Sequence, residues 1–526
     1  MGICIVKTND YITEGLRQLN DTSTYRPISP SHIHFPKIWA QLRSILNDNK
    51  QLYLTNSKGE IVYTKDNTRK KLTEIAEYML QLQNFPDKLR LGHFYLLMKV
   101  HKSPIVGRPI VSSIDTITYY TSKYIDFTLQ PLLRTIPSYI QSSEHILTIL
   151  ERATFPSDCI ILCADVNSLY PSIPIKEGLE YFQKSLERNI INVPRKDLSS
   201  INIKLIVKLM EWVLNNNYFK FGEYCYHQIN GTAMGTPAAV VFACLFLDQL
   251  ETEVFRELQQ EFTRRFPIHL LYKRYIDDIF AIFPDEGLAN SFLKKFASKF
   301  PSIFCSSSTI TSTHGIFLDL YIYKGNQFAS TSKLDTKVYQ KPQNKYLYLP
   351  PNSYHSRSIF KAFIIAEINR YRLLCNNDED FLQLKDEFFT RLLARGYNKD
   401  FLQHCFNKQK DRHRLLQKAL ARYSTPSNND TNNNTGKTTP CTFIVSHTPD
   451  IKPLQLKKLL KLPDNIKYNP YLQDTYKHVF NQQDPIICYY NSPTASSFFS
   501  SGRKTLHSEK TTDKISKDKG QLQATA

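Results

Sequence analysis

Three aspartates stand where the chain could gather negative charge around a cation. Asp277 and Asp278 are adjacent within LYKRYIDDIFAIF, residues 271–283, and are flanked by two apolar half-strands. Side chains of a strand alternate between its faces, so two neighbouring carboxylates can converge on one site only where the chain turns. This predicts a hairpin with the pair at its tip. Two like charges so close call for a cation, and magnesium takes hard oxygen ligands, often one or two carboxylates plus substrate phosphates. An isolated pair of this kind is equally well a solvated turn. Asp165 weighs against that plainer reading. It closes an apolar strand in IILCADVNSLYPSIP, residues 160–174, and Tyr170 follows five residues later. A carboxylate at a strand end beside a carboxylate hairpin would complete a two-ion site, one ion activating a hydroxyl and the other holding a triphosphate.

Two further stretches carry binding chemistry. In QINGTAMGTPAAV, residues 228–240, Gly231 and Gly235 flank a loop leading to a helix with Pro237 in its first turn, where backbone can approach a ligand closely, although taken alone the loop reads better as a plain helix-entry turn. In MKVHKSPIVGRPIVSS, residues 98–113, Lys99, His101, Lys102 and Arg108 cluster around Pro104, Gly107 and Pro109. Arginine there suits bidentate phosphate contact, although a basic surface turn reads the same way.

These residues need elements to hold them. Strands are predicted at 94–100 and 158–164, and helices at 68–83, 121–133, 202–219 and 237–255. Residues 356–423 read as basic amphipathic helices, 424–440 as a polar linker, 441–500 as a small apolar module with a short helix around Leu454–Leu462, and the rest as a disordered basic tail. The 526 residues carry 67 Lys and Arg against 48 Asp and Glu, a net charge of +19 that suits a polyanionic partner. Ten scattered cysteines without a Cys-x-x-Cys point to a reducing compartment and no zinc site. No apolar run reaches bilayer-spanning length and no secretory signal opens the chain, so an intracellular, nuclear protein with no membrane partner is expected.

In order, MKVHKSPIVGRPIVSS, ADVNSLYPSIP, GTAMGTP, RYIDDIFAIF and GIFLDLYIY resemble the motifs of reverse transcriptases. KVHKSP with GRPIVSS, SLYPSIP, the AMG of GTAMGTP, YHSRSIFKAFIIAEINRYRLLC and RGYNKDFL are similar to the Penelope-like retroelements, relatives of telomerase. The resemblance runs from about residue 2 to about 490. It implies an α+β right-hand polymerase: fingers over 1–155, palm with an antiparallel sheet over 156–340 into which part of the fingers is inserted between the first two palm motifs, a helical thumb over 341–424, and beyond the linker the small C-terminal module. It implies an RNA-directed DNA polymerase acting on an RNA template, a DNA primer and deoxynucleoside triphosphates with two Mg2+ ions, Mn2+ being an alternative. The implied catalytic set is Asp165, Asp277 and Asp278, with Val166 added to the metal set, and Asp165 and Asp277 as the foremost direct ligands. Lys102, Arg108, Tyr170, Gly231, Met234, Gly235, Thr236 and Pro237 form the implied nucleotide pocket, with Tyr170 excluding a 2′-hydroxyl. Phe317, Leu318 and Asp319 grip the primer end, and Lys341, Lys345, Arg357, Lys361, Arg370 and Arg372 hold the duplex backbone. Met234 stands where many reverse transcriptases carry Gln. The basic Asp-Lys-Gly element that usually precedes GICIVKTNDYITEGLRQLNDTSTYRPI is absent, and 441–500 offers no nuclease-like ligand spacing, so an endonuclease-lacking or truncated member is expected. Two other classes compete: a non-catalytic nucleic-acid-binding relative, and an RNA-templated RNA polymerase, against which Tyr170 speaks.

Overall fold

The computed structural model describes residues 6–48, 89–99, 104–193, 202–263, 267–342, 344–423, 442–446 and 486–490. The chain divides into two compact units, one of Met1–Tyr346, Leu373–Leu382 and Leu416–Tyr423, the other of Leu347–Arg372, Gln383–Leu415 and Ser424–Ala526. The expected helix at 68–83, the linker at 424–440, the helix around 454–462 and the tail lie outside the described residues.

The first unit mixes helices with three sheets. Strands β1 (Tyr25–Ile28), β2 (Gly92–Lys99), β3 (Val106–Ser112), β5 (Tyr218–Phe221) and β6 (Tyr224–Gln228) form a sheet of order β1-β6-β5-β2-β3. Strands β4 (Ile160–Val166), β7 (Leu271–Tyr275), β8 (Asp278–Phe283) and β9 (Cys305–Thr311) form a second, wholly antiparallel sheet of order β7-β8-β4-β9. Helices lie between β4 and β7 and between β8 and β9, so the second sheet follows a split β-α-β-β-α-β course. Strands β10 (His314–Phe317), β11 (Leu320–Tyr323) and β12 (Asp335–Val338) form an antiparallel three-stranded sheet.

Period-two burial fixes the second sheet between two layers. Leu162, Ala164 and Val166 of β4 and Ile279, Ala281 and Phe283 of β8 join one apolar cluster with the helices Ile175–Asn189, Ala239–Glu261 and Glu286–Lys299. On the other face, Gly315 of β10 crosses β4 so closely that a Cβ there would stand 2.7 Å from Cys163 Sγ. The Phe280 and Phe317 rings lie 5.4 Å apart on that face. Apolar groups thus pack on both faces of the central strands β4 and β8, up to the end where these strands carry their carboxylates, whereas Ser308 and Thr309 of the edge strand β9 are exposed.

Where the described residues cover them, the expected strands and helices are found with shifted ends. The helix expected at 202–219 stops at Asn215, because Tyr218 and Phe219 enter β5. The helix expected at 237–255 runs from Ala239 to Glu261, and Pro237 sits in the turn before it rather than in its first turn. The hairpin at 271–283 turns over Ile276 and Asp277, and Asp278 is already the first residue of β8.

The second unit holds the body of the helix Arg357–Leu374, most of Asp378–Ala394, and Lys399–Phe406. Phe388 packs against Tyr371 and Phe406 with ring separations of 5.4 and 5.7 Å. Arg395 Nε donates to the Tyr348 carbonyl at 2.9 Å, and the Tyr397 hydroxyl to the Leu349 carbonyl at 2.7 Å. Strands β13 (Thr442–Ser446) and β14 (Ile486–Tyr490) pair in parallel, all that is described of the C-terminal module.

Candidate active site

Register brings two of the three carboxylates face to face. Asp165 on β4 is the cross-strand partner of Asp278 on β8, and by alternation both share the face covered by β10. An irregularity in the β4–β9 register falls between Asp165 and Val166, the kind of bulge that re-aims a side chain at a strand end. The Val166 amide donates to the Asp277 carbonyl at 3.1 Å, which ties the hairpin turn to the end of β4.

All three turns around this end contain a residue with positive φ that is not glycine: Ser168 at 44°, Ile276 at 57° and Leu318 at 57°. For an L-residue this costs about 1–2 kcal/mol, most for β-branched Ile276, and persists only when the surroundings impose it.

Burial raises the Asp278 carboxyl to about 6, with the charges of Asp277 and Asp165 adding to the rise and Lys341 opposing it. Asp277 is raised as well, chiefly by burial, against the pull of Arg108, Arg274 and Lys99. The side chains thus stand in different fields: Asp278 feels the other two carboxylates, whereas Asp277 feels the cations of the β2–β3 hairpin. Half-buried hard oxygens in mutual repulsion fit a divalent cation that completes its shell from substrate and water. Among the described residues no group of three His, Cys, Asp or Glu is close enough to hold an ion by itself. The register puts Asp278, rather than Asp277, directly opposite Asp165.

Arg108 is exposed on β3, within electrostatic reach of Asp277 and of Tyr170. Tyr170 is half-buried on the helical turn Leu169–Ser172, and burial raises its hydroxyl well above the usual range, with Asp277 nearby. Lys102 lies outside the described residues. Asp165, Asp277, Tyr170 and Arg108 therefore belong to one neighbourhood.

The glycine loop does something other than expected. Gly231, at φ 67°, presses on the backbone of Tyr170 and Pro171, so that a Cβ would stand 2.5 Å from Pro171 Cα. The Gly231 amide donates to Ile173 at 3.0 Å and the Thr232 amide to Tyr170 at 2.8 Å. Gly235, at φ 122°, lies against the Val111 carbonyl, and the Val111 amide donates to Met234 at 2.8 Å. The close approach that glycine permits is to the protein's own backbone. The loop joins the Tyr170 turn to β3, with Met234 half-buried and Thr236 buried between them. The Ala238 amide at the start of the following helix is taken by Ser122 Oγ at 2.8 Å, so it is not open to a ligand.

A cavity of about 290 Å3 opens beside the carboxylates, lined by Cys163, Asp165, Asp278, His314, Phe317 and Leu318 among others. Phe317 is buried and serves the core, Leu318 faces the cavity, and Asp319 accepts from Ser143 Oγ. Of the six cations expected to hold a duplex, Lys341, Lys345 and Arg357 are exposed, Lys361 is half-buried, Arg372 is half-buried, and Arg370 is held by Glu367 at 3.1 Å.

Two supports were invisible in the sequence. Glu14 accepts from the Gly107 amide at 2.9 Å and Gln18 donates to the Gly107 carbonyl at 2.7 Å, which pins the hairpin carrying Arg108. The salt bridge to Arg17 holds the Glu14 carboxyl down at about 2. Arg274, fully buried, pairs with Glu251 and donates to the Ile276 carbonyl at 2.8 Å. Glu14 lies outside every motif, and Arg274, although it opens RYIDDIFAIF, has a buried role that the motif does not announce.

Residues 347–407 match the family described as Animal helix-turn-helix domain. No curated protein sequence matches the chain. Solved structures that are similar include a telomerase from Candida albicans in complex with a TWJ fragment of telomeric RNA, at 12% identity and TM-score 0.42, over 80% of this chain and 76% of that one. A BmCPV RNA-dependent RNA polymerase is similar at 10% identity and TM-score 0.40, over 73% of this chain and 33% of that one. The RNA-dependent RNA polymerase of a human picorbirnavirus, as an insertion-loop deletion mutant, is similar at 12% identity and TM-score 0.36, over 60% of this chain and 59% of that one. The chain thus spans about a third of the BmCPV protein. No described helix is long and apolar enough to cross a membrane.

Proposed function

We propose that the protein is an RNA-directed DNA polymerase of a Penelope-like retroelement, joining deoxynucleotides to a primer 3′-hydroxyl at Asp165, Asp277 and Asp278. The observation that carries this reading is the cross-strand pairing of Asp165 with Asp278 at the end of the two central strands of the sheet, with Asp277 in the adjoining turn. In this reading the β7-β8-β4-β9 sheet is the palm, the β2–β3 hairpin belongs to the fingers, and the helices after Tyr346 to the thumb.

When bound between these carboxylates, Mg2+ would supply Lewis-acid stabilisation of the phosphoryl oxygens and lower the pKa of the attacking hydroxyl. The chain's own residues do the rest. Asp165 and Asp278 would hold one hard-oxygen site, with the Val166 backbone at its edge, and Asp277 would extend it toward the nucleotide. Arg108 binds triphosphate oxygens and orients them toward Asp277. Tyr170 packs under the sugar and excludes a 2′-hydroxyl. The glycine loop holds Tyr170 and β3 in one rigid frame, so that gate and triphosphate clamp move together. The cavity beside Leu318 accommodates the primer end. Lys341 faces Asp278 and offsets negative charge when the site is empty. Arg357, Lys345 and Lys361 contribute phosphate contacts without base readout, as a template-tolerant enzyme requires.

A second reading rests on the absence, among the described residues, of a self-sufficient three-ligand cluster. It makes the protein a nucleic-acid-binding relative without catalysis. A labelled DNA primer annealed to an RNA template, incubated with purified protein, Mg2+ and deoxynucleotides, separates the two. Template-dependent extension supports the polymerase, and tight duplex binding without extension supports the binder.

A further inference from the structure

Arg274 is an unusual inhabitant of a protein core. It lies on β7, where Tyr272 and Arg274 alternate inward, and its side chain is 0% exposed. Replacing a buried ion pair by apolar side chains is often neutral or stabilising, so stability alone gives no reason for this pair.

The guanidinium is engaged along its whole fork. Nε meets Glu251, Nη1 donates to the Ile276 carbonyl at 2.8 Å, and Nη2 donates to the Cys244 carbonyl at 3.1 Å. Glu251 cannot swing away, because it also accepts from the Tyr272 hydroxyl at 2.9 Å and from Ser138 Oγ at 2.8 Å. The backbone of Arg274 is fastened too: its amide donates to Ser138 at 2.7 Å, and its carbonyl accepts from Ile140 at 3.0 Å.

Immediately beyond lies the two-residue turn of the carboxylate hairpin. Ile276 holds φ at 57°, a conformation a β-branched residue does not choose for itself. Both peptide carbonyls of the turn are taken, Ile276 by Arg274 and Asp277 by the Val166 amide.

We propose that Arg274, locked on Glu251, is a positioning residue for the carboxylate turn: its bond to the Ile276 carbonyl holds Ile276 in the left-handed conformation and thereby sets Asp277 and Asp278 against Asp165. The inference rests on the polymerase reading for its biological purpose, while its structural content concerns the turn alone. A planar fork that satisfies a carboxylate and two carbonyls at once is what a lysine cannot supply.

The test uses the full chain and Mn2+ alone. Electron paramagnetic resonance titration gives the Mn2+ affinity, with the fraction lost in Asp165→Asn defining the carboxylate site. The paired substitution Arg274→Met with Glu251→Gln removes both charges and keeps the volume. Its Mn2+ affinity is expected to fall by about 10–100-fold, the usual cost of losing a residue that orients ligands, while the thermal transition stays cooperative. Adding Ile276→Gly, which needs no help to adopt positive φ, is expected to recover at least about threefold of that loss. An unchanged affinity in the folded pair variant overturns the proposal. So does a loss that Ile276→Gly leaves untouched, since the pair would then act through its field and not through the turn. If the pair variant does not fold, Arg274→Lys keeps the charge and loses the fork; a weakened Mn2+ site upholds the role, and wild-type affinity overturns it. Primer extension is measured alongside, with kcat and kcat/KM expected to fall together. Absence of extension in the wild-type protein sinks the polymerase reading and leaves the Mn2+ result to judge the turn.

Discussion

Replacing Gly231 by alanine separates two costs that the structure assigns to different atoms. Gly222, in the β5–β6 turn, also has positive φ, at 58°, yet a Cβ there would meet nothing within 4 Å. Gly222→Ala therefore costs only the backbone term, about 1–2 kcal/mol. Gly231→Ala carries the same term, and its Cβ would also stand 2.5 Å from backbone atoms of Pro171. Backbone cannot rotate out of the way as a side chain can, so the loop or the Tyr170 turn must shift. Overpacking of that kind adds about 1–3 kcal/mol, for a total of about 2–5 kcal/mol. In a unit of this size about 1 kcal/mol moves Tm by about 2–3 °C, so the overpacking term should make Gly231→Ala melt about 2–9 °C below Gly222→Ala in parallel thermal scans. The displaced group is the turn bearing Tyr170, so deoxynucleotide incorporation should also fall at least about tenfold further than in Gly222→Ala. Equal melting temperatures and equal incorporation rates would refute the packing of the glycine loop on that turn.

Three more outcomes follow from the same geometry. The folded Asp278 carboxyl titrates near 6, above the ordinary 3.8, so the native state binds the extra proton between those values and stability falls as pH rises from about 4 to about 6. Asp278→Asn should thus stabilise the metal-free protein at pH 7 and above, by about 1 kcal/mol once solvent screening of a partly exposed group is allowed for, with the gain vanishing below about pH 4. Thermal melts across that range check it, and a variant less stable than the parent at pH 8 contradicts it. Tyr170→Val should let ribonucleotides in, lowering discrimination by about 10–100-fold in single-nucleotide incorporation, whereas unchanged discrimination in a folded variant refutes the gate. Raising salt from about 50 to about 200 mM should weaken duplex binding by about a thousandfold with little sequence preference, and a flat dependence counts against phosphate-dominated binding.

Much of the site was legible because it is local. An apolar run ending in Asp165 and two apolar half-strands around Asp277 and Asp278 can be recognised by period-two patterning, and the structure places them on adjacent strands. Which aspartate faces Asp165 was not legible, because it depends on a one-residue choice of register that the turn at Ile276 makes. What the glycine loop packs against was not legible for a related reason. Sequence shows that backbone approaches something closely at Gly231 and Gly235, but only the fold shows that this something is Tyr170, Pro171 and Val111. Glu14 meets Gly107, and Glu251 meets Arg274, across sequence separations that no short motif spans. The ends of the helices at 203–215 and 239–261 shifted because the competition between continuing a helix and joining a strand is settled by partners elsewhere in the chain.

The central claim, that these carboxylates perform nucleotidyl transfer, is tested most directly by single-turnover primer extension on an RNA template with Mg2+, comparing the parent with Asp165→Asn, Asp277→Asn and Asp278→Asn while duplex affinity is measured on the same samples. Each substitution is expected to lower the extension rate by about 100-fold or more, because charge stabilisation in the transition state is lost, while duplex Kd stays within about threefold, because phosphate contacts lie elsewhere. Extension at the parent's rate by Asp165→Asn, or a parent that binds the duplex and never extends it, would contradict the claim.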